Sequence, residues 1–266
     1  MIEIENLLLA AVNTSIKAGN AIMDIYHKDF AVEFKQDASP LTEADKLADE
    51  IIQLQLTKTY PVLSEEKLNT EFTQRKNWEL FWMVDPLDGT KEFINKNGEF
   101  TVNIALIKKG IPILGVVYAP AIGTLYFGSS ETGSYKFNSK DEINFVSLTQ
   151  LMNLSEKLDT KKMPSVYTIV ASRSHLTKET AQFVEQSRKE HGELKLISKG
   201  SSIKICLVAE GKANTYPRLA PTMEWDTAAA HAVAKFAGCK VVNFATGEEL
   251  IYNKENLKNP HFIVSR

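Results

Sequence analysis

Cysteine is scarce in this chain: 266 residues contain two, Cys206 and Cys239. They stand far apart, in segments whose other residues favour helices, and neither belongs to a CxxC or closely spaced Cys/His motif. This pattern argues against a disulfide framework and against a zinc site. We expect two buried thiols in a protein of a reducing compartment.

The N-terminus lacks a long apolar run. Residues 1–27 are interrupted by Glu3, Glu5, Asn13, Lys17 and Asp24, which excludes the core of a signal peptide and a membrane span in this region. We therefore expect a cytoplasmic protein. Peripheral attachment to the inner face of the cell membrane is left open by this pattern.

An excess of positive charge is also missing. Lys and Arg number 31 against 33 Asp and Glu, giving a net charge of −2. Such a chain offers no basic field for polymeric nucleic acid, although small phosphates held through a metal remain candidates. The hydrophobic content of 44% is ample for a sizeable core, so we expect a soluble chain of one large domain or two small ones.

The hydrophobic periodicity changes along the chain. Helical spacing covers residues 4–26 and about 43–60, and a short strand lies between them at 31–35. Strands separated by glycine predict an antiparallel meander at 101–107, 111–118, 124–127 and 134–137. Strands and helices then alternate at 167–171, 178–190, 193–197, 201–210 and 213–216. We predict an α+β half at 1–145 and an α/β half at 146–266, with the polar residues 138–164 as a surface crossing.

The most informative segment is Asp-Pro-Leu-Asp-Gly-Thr-Lys-Glu-Phe at 85–93. It follows an apolar strand at 81–84, which the pattern predicts to stop at Asp85. Asp85 and Asp88 would repel each other on a tight turn unless a proton or cation lies between them, and Mg²⁺ is a cation that carboxylates and phosphates share. The alternative is a strand followed by an ordinary Asx turn.

Three further acidic positions have both a structural and a functional interpretation. Asp45 follows Thr42 by three residues, as in a helix capping pair. Glu65, with Glu66 beside it, ends an apolar segment at 61–64, so two strands side by side would bring Glu65 and Asp85 to one edge. Asp226 precedes Thr-Ala-Ala-Ala, which predicts a helix N-cap, and this position is also suited to a metal that carries a phosphate.

Taken in order, these segments resemble the signature of the inositol monophosphatase superfamily. The resemblance rests on Ser-Glu-Glu at 64–66, the segment at 85–93, and Glu-Trp-Asp-Thr-Ala-Ala-Ala at 224–230. Leu87, residues 91–93, Gly-Ser-Ser-Ile-Lys at 200–204 and residues 221–226 are similar to the CysQ-type 3'(2'),5'-bisphosphate nucleotidases in particular. The similarity spans nearly the whole chain.

The resemblance implies a layered αβαβα sandwich like those of the inositol monophosphatases and fructose-1,6-bisphosphatases. It also implies two or three Mg²⁺ ions, with ligands from Glu65, Asp85, the Leu87 carbonyl, Asp88 and Asp226. Thr90 and Asp45 would position and deprotonate the attacking water, with Glu65 also assigned a catalytic role.

The implied substrate is adenosine 3',5'-bisphosphate, converted to AMP and phosphate. We expect the residues around the metal and at the second phosphate to bind it: Glu65, Leu87, Asp88, Gly89, Thr90, Lys91, Arg173, Ser201, Lys204, Arg218 and Asp226. Arg173, Lys204 and Arg218 are the candidate cations for the second phosphate, although each could equally be an ordinary surface cation. The alternatives are an inositol monophosphatase or sugar bisphosphatase, and a nucleotide-binding protein without turnover.

Overall fold

The computed structural model describes residues 3–34, 40–67, 70–139, 144–159, 163–172 and 177–266. Its α-helices are α1 (Ile4–Tyr26), α2 (Glu43–Leu56), α3 (Phe72–Arg75), α4 (Thr90–Ile94), α5 (Leu148–Asn153), α6 (Lys178–His191), α7 (Ile203–Ala209) and α8 (Ala228–Phe236). Its strands are β1 (Val32–Phe34), β2 (Pro40–Thr42), β3 (Val62–Ser64), β4 (Leu80–Asp88), β5 (Thr101–Lys108), β6 (Ile111–Ala119), β7 (Thr124–Ser129), β8 (Gly133–Asn138), β9 (Glu156–Leu158), β10 (Tyr167–Ser172), β11 (Leu194–Lys199), β12 (Thr215–Arg218), β13 (Lys240–Asn243) and β14 (Phe262–Ser265).

The larger sheet has seven strands in the order β3-β4-β5-β6-β7-β8-β9. β3 runs parallel to β4, and every later pair in this sheet is antiparallel. The predicted meander is therefore confirmed. Because β3 and β4 are parallel neighbours, their carboxyl ends meet at one edge of the sheet, where Glu65 and Asp85 lie.

The smaller sheet has five strands in the order β11-β10-β12-β14-β13. β10 is parallel to β11 and β12, whereas β14 is antiparallel to β12 and β13. α6 connects β10 to β11 and α7 connects β11 to β12, so the predicted alternation of strands and helices is confirmed in this part of the chain. Connections of this length are needed because parallel strands cannot be joined by a tight turn.

The two sheets and their helices stack in five layers, so the predicted αβαβα sandwich is confirmed. α1 and α2 pack on the outer face of the seven-stranded sheet, α7 and α8 fill the space between the sheets, and α6 packs on the five-stranded sheet. Successive side chains of a strand point to opposite faces. Phe81 and Met83 accordingly join the core between the sheets, while Trp82 and Val84 join the core under α1.

α8 lies unusually close to the seven-stranded sheet. A Cβ atom at Gly115 on β6 would lie 2.2 Å from the Ala229 carbonyl oxygen and 2.7 Å from the Ala232 Cβ. The alanines of α8 and the missing side chain at Gly115 together permit this approach. The close packing places the start of α8, and Asp226 just before it, near the end of β4.

Two predictions about secondary structure are wrong. β4 does not stop at Asp85 but continues to Asp88 through an irregularity in its pairing, because β5 still pairs with it at Thr101. Residues 138–164 are not merely a surface crossing, since they contain α5 and β9, with Leu151 and Leu158 buried. β9, which lies after residue 145 in the sequence, is the last strand of the seven-stranded sheet. The division of the chain into halves at 145/146 stays a prediction.

Both cysteines are buried and free, as expected, although Cys239 lies just before β13 rather than in a helix. Within the part of the chain that the structure describes, no helix combines the length and apolar character needed to cross a membrane.

Candidate metal and phosphate site

Three carboxylates from distant parts of the chain converge between the sheets. Glu65, Asp85 and Asp226 each offer an oxygen, and these oxygens lie within 4.8 Å of one another. The Glu65 N–H donates to the Val84 carbonyl (3.1 Å), which continues the β3–β4 pairing and holds Glu65 beside Asp85. Glu65 is the residue predicted to meet Asp85, and the structure brings it into this group.

The irregular end of β4 adds Asp88 and the Leu87 backbone to the same site. The Leu87 N–H donates to Asp85 Oδ1 (3.0 Å), so the turn folds back on the first carboxylate. Asp88 then lines the cavity, and its Oδ2 accepts a hydrogen bond from the Ser202 N–H.

Asp226 reaches the site in a different way from the predicted N-cap. Its Oδ2 accepts a hydrogen bond from the Met223 N–H (2.8 Å), three residues before it. The N-cap of α8 is Thr227, whose side chain makes no capping hydrogen bond. The prediction that Asp226 caps α8 is therefore wrong, because the turn at 223–226 holds its carboxylate instead.

Burial and the repulsion between neighbouring carboxylates raise the pKa values of Asp85, Asp88 and Asp226. Burial raises the pKa of Asp85 well above its usual range, and the charges of Glu65, Asp88 and Asp226 raise it further. Burial, followed by the charges of Asp88 and Glu65, likewise raises that of Asp226. The pKa of Asp88 is raised by burial to about 6, against the opposing effects of Lys204 and the Ser202 N–H. A divalent cation would relieve this repulsion, and the all-oxygen donor set fits a hard cation such as Mg²⁺.

We expect these groups to make the stability of the metal-free protein depend on pH. Because their pKa values are raised on folding, the folded chain retains protons that the unfolded chain releases above its usual value of 3.8. Their contribution to stability is thus full below that value, and it is lost as the pH rises through the folded pKa values, about 6 for Asp88.

Mg²⁺ competes with those protons, so it should raise the melting temperature more at about pH 8 than at about pH 5. Thermal unfolding in EDTA and in excess Mg²⁺ at the two pH values measures this difference. Equal increases at both would contradict a cation site among these carboxylates.

Thr90 and Asp45 form a hydrogen-bonded pair next to the carboxylate cluster. Thr90 begins α4 directly after Gly89, whose φ of 92° is a left-handed conformation that glycine adopts readily. The Thr90 hydroxyl donates to Asp45 Oδ1 (3.2 Å), with the Leu87 carbonyl as a more distant acceptor at 3.4 Å. Asp45 is 2% exposed, and its Oδ2 accepts from the Thr42 N–H and hydroxyl at 2.7 and 2.6 Å. The predicted capping pair is confirmed, and the same carboxylate also contacts Thr90.

The carboxylates face a cavity of about 320 Å³ that is also lined by positively charged side chains. Lys204, from α7, is 7% exposed and lines it, and burial lowers its pKa to about 8 despite the nearby Asp88 carboxylate. Arg218, at the end of β12, also lines the cavity. Its Nη2 donates to the Pro221 carbonyl (3.0 Å), and its buried Nε has no hydrogen-bond partner among the described residues.

The other predicted substrate residues divide into two groups. Gly89, Lys91 and Ser201 line the same cavity, whereas Arg173 lies outside the described residues.

Several residues that line the cavity were not predicted: Glu92, Gly200, Ser202, Ile205, Tyr216, Thr222, Thr227 and Phe262. Gly200, Ser202 and Glu92 fall in segments that carried the resemblance, so the signal was present. Tyr216 and Phe262 lie on the neighbouring antiparallel strands β12 and β14. In sequence they are ordinary apolar strand residues, and they reach the cavity through sheet pairing alone.

Three comparisons place the chain among known proteins. The model of the inositol monophosphatase family matches residues 3–262. The 3'(2'),5'-bisphosphate nucleotidase CysQ of Salmonella typhimurium is 43% identical over 254 residues, which cover 93% of this chain and 95% of that protein. The protein of the same description from Escherichia coli strain K12 is 44% identical over the same length and coverage.

A solved structure extends the comparison to the fold. The crystal structure of CysQ from Bacteroides thetaiotaomicron, described as a bacterial member of the inositol monophosphatase family, matches with a TM-score of 0.91 and 48% identity. The match covers 100% of this chain and 98% of that one. The family resemblance and the predicted fold are both confirmed.

Proposed function

Because the chain belongs to the inositol monophosphatase family, we propose that it is a Mg²⁺-dependent 3'(2'),5'-bisphosphate nucleotidase that converts adenosine 3',5'-bisphosphate to AMP and phosphate. One observation carries the proposal: a single cavity holds clustered carboxylates together with Lys204 and Arg218. A carboxylate cluster that binds metal suits the phosphate to be hydrolysed, and separate cations suit a second phosphate. The names of the relatives from Salmonella typhimurium and Escherichia coli support the same substrate class.

The metal would be held by Glu65, Asp85, the Leu87 carbonyl, Asp88 and Asp226, and we propose two or three ions. Mg²⁺ sites in proteins commonly use carboxylates, water molecules and substrate phosphate oxygens as ligands. When bound, Mg²⁺ supplies electrostatic stabilisation for the charge that develops on the phosphate during hydrolysis.

Thr90 and Asp45 would position the attacking water and remove a proton from it. Because Thr90 donates its own proton to Asp45 Oδ1, its oxygen is left to accept a proton from water in the cavity. The Glu65 carboxylate faces the same cavity and would help to orient that water. The water oxygen bonds to phosphorus while the bond from phosphorus to the ribose 3'-oxygen breaks. The leaving oxygen takes up a proton from a second water, and the hydroxide so formed recovers the proton that passed through Thr90 to Asp45.

Lys204 and Arg218 would bind the phosphate that is not hydrolysed, while Lys91, the Gly89 backbone and Ser201 would contact the reacting end. Arg173 stays a prediction for the second phosphate. The proposed partner is thus a small nucleotide.

We expect Lys204→Met and Arg218→Met to weaken binding of the bisphosphate about ten- to a hundredfold, the range for charge-assisted hydrogen bonds. Binding of a monophosphate should change less, because it lacks the second anionic group. The rate at saturating substrate should also fall less, because the contact exists in ground state and transition state alike. Steady-state kinetics with both substrates measure this, with Lys109→Met as a control at an exposed lysine outside the cavity. If both substrates lose affinity equally, these cations do not bind the second phosphate.

Phosphate release from adenosine 3',5'-bisphosphate, inositol monophosphate and fructose 1,6-bisphosphate tests the proposal directly. Each substrate is assayed with Mg²⁺ and with EDTA. We expect the highest kcat/KM for the adenosine bisphosphate and no release in EDTA. A preference for inositol monophosphate or fructose 1,6-bisphosphate would replace the substrate assignment, and no release from any would indicate a binding protein without turnover.

A further inference from the structure

A short turn at residues 199–202, just before α7, crosses from the five-stranded sheet to the seven-stranded sheet. It meets the side chains of Glu99, Thr101 and Asn103, which are spaced by two residues. The spacing of Thr101 and Asn103 puts their side chains on one face of β5, and Glu99 lies just before that strand. The turn therefore docks on a row of polar groups inside an otherwise apolar core.

The row lies directly beside the carboxylate cluster. In the antiparallel pairing of β4 with β5, Asn103 is the partner of Asp85 and Thr101 is the partner of Asp88. Side chains of such partners are close neighbours on the same face of a sheet. Thr101 and Asn103 are 0% and 1% exposed, so water is not available to replace their hydrogen bonds.

Three of these side chains close a ring of hydrogen bonds. The Asn103 Nδ2–H donates to Thr101 Oγ1 (3.2 Å), and the Ser202 hydroxyl donates to Asn103 Oδ1 (2.7 Å). The third side of the ring joins Thr101 Oγ1 and Ser202 Oγ (2.8 Å). Since the Ser202 proton is engaged by Asn103, Thr101 donates there. Each member of the ring thus donates once and accepts once within it.

Ser202 connects the ring to Asp88. The Ser202 N–H, on the residue whose hydroxyl is in the ring, donates to Asp88 Oδ2. Two residues further along, Lys204 enters the cavity. Glu99 holds the other end of the turn, accepting from the Gly200 N–H (2.8 Å) and the Lys199 ammonium (2.9 Å).

The turn also lies too close to α4 and to the segment just before β5 to accept a side chain at Gly200. A Cβ there would lie 2.7 Å from Glu92 Cγ and 2.9 Å from the Glu99 carbonyl oxygen. The hydrogen bonds and this close contact together set the position of the turn.

We propose that Thr101, Asn103 and Ser202 are positioning residues whose hydrogen-bonded ring aims the Ser202 amide at Asp88 and places Lys204, so that the site binds its divalent cation and phosphate in one arrangement. The inference rests on the proposed function for the identity of the cation and the phosphate. Without the ring, the Ser202 backbone loses its fixed distance from Asp88, and the Asp88 carboxylate gains freedom to turn away from the cation.

Thr101 offers a matched pair of variants to test this role. Thr101→Val keeps the shape of the side chain and removes its hydroxyl, whereas Thr101→Ser keeps the hydroxyl and removes a methyl group. Thr124→Val is the control: Thr124 is a buried threonine of the same sheet whose hydroxyl bonds to Asn138 Oδ1 (3.0 Å) outside the cavity.

Mg²⁺ binding by calorimetry and hydrogen exchange of the Ser202 amide are the measurements, made without substrate. We expect Thr101→Val to weaken Mg²⁺ binding about tenfold and to speed Ser202 exchange about tenfold, within the range for loss of a buried hydrogen-bond partner. Thr101→Ser should stay within about twofold of wild type in both. Thr124→Val should lower the melting temperature without changing either measurement.

A second pair covers the case in which Thr101→Val does not fold. Ser202→Ala breaks the ring but keeps the amide, and its control is Ser134→Ala, which removes a buried hydroxyl bonded to the Val233 carbonyl (2.7 Å). Ser202→Ala should weaken Mg²⁺ binding and Ser134→Ala should not. If the ring variants match their controls in Mg²⁺ binding and exchange, the proposal is overturned. Because neither measurement requires hydrolysis, a wrong substrate assignment would show separately, in the substrate panel.

Discussion

Replacing Asp45 by Asn is expected to lower turnover by several orders of magnitude while the protein remains folded. The Asn side-chain oxygen can still accept from Thr42, as Asp45 Oδ2 does at 2.7 and 2.6 Å. Its amide group then faces Thr90 in place of Oδ1. An amide donates where a carboxylate accepts, so the hydrogen bond to Thr90 would reverse its direction. The Thr90 hydroxyl would no longer have a base to receive its proton.

The expected change in stability is small by comparison. The substitution keeps the contact with the N-cap of α2 and removes one negative charge from the first turn of that helix. Both effects belong to the scale of helix-terminus substitutions, about 1 kcal/mol or less. Thermal unfolding and kcat measured on the same preparation separate the two roles. A large loss of stability with unchanged activity per folded molecule would make Asp45 a structural residue.

Thr90 provides the matched controls. Thr90→Ser keeps the hydroxyl that donates to Asp45, and it should retain most of the activity. Thr90→Val keeps the shape and removes the hydroxyl, and it should resemble Asp45→Asn. If Thr90→Val were nearly as active as Thr90→Ser, proton transfer through this pair would be excluded.

Asp88→Asn is expected to lower activity by orders of magnitude at ordinary Mg²⁺ and to move the Mg²⁺ dependence to higher concentration. The amide oxygen can keep the hydrogen bond from the Ser202 N–H, so the turn at 199–202 should stay in place. What is lost is one of the charges that attract the cation. Near-normal turnover at ordinary Mg²⁺ would contradict the assignment of Asp88 as a ligand.

The same substitution should make the metal-free protein more stable at about pH 8. Ionised Asp88 is unfavourable there, because burial has raised its pKa to about 6 and Asp85 and Asp226 lie nearby. A neutral side chain removes that repulsion, and excess Mg²⁺ should then raise the melting temperature less than in the wild type. The gain should shrink as the pH falls below about 6, since the wild-type group is then protonated when folded.

Asp49→Asn is the control for loss of a buried carboxylate. Asp49 is 2% exposed, accepts from the Ser64 hydroxyl (2.6 Å) and pairs with Lys67 (3.1 Å), and it does not line the cavity. Its replacement should destabilise the protein and leave the Mg²⁺ dependence unchanged. If Asp88→Asn destabilised the metal-free protein as Asp49→Asn does, the electrostatic description of the site would be wrong.

Short-range patterns were sufficient for much of the fold. The helical spacing of residues 4–26, the glycine-separated strands of the meander and the strand–helix alternation after residue 167 all correspond to elements of the structure. They were predictable because periodicity and turn chemistry act over a few residues. β9 was missed because three residues with one buried side chain, Leu158, carry almost no periodicity.

The carboxylates of the candidate site were predictable for a related reason. Glu65 and Asp85 each follow a short apolar run in the sequence, and the parallel pairing of β3 with β4 brings the two residues together. The local pattern around Asp226 indicated an N-cap, and only the ordered set of motifs associated it with the other acidic residues. The local interpretation failed because the Met223 N–H donates to the Asp226 carboxylate within the turn at 223–226, and the helix begins one residue later, with Thr227 as its N-cap.

The local sequence determined most of the strands and helices and the positions of the acidic residues that follow them. These features depend on residues that are close together in the chain. Contacts across the two sheets decided the rest: the convergence of Glu65, Asp85 and Asp226, the placement of Lys204 and Arg218 in the same cavity, and the ring that joins β5 to the turn before α7. In sequence, Thr101 and Asn103 are ordinary residues of a buried strand. Their partner Ser202 lies about a hundred positions away and reaches them only through the strand register and the packing of the layers.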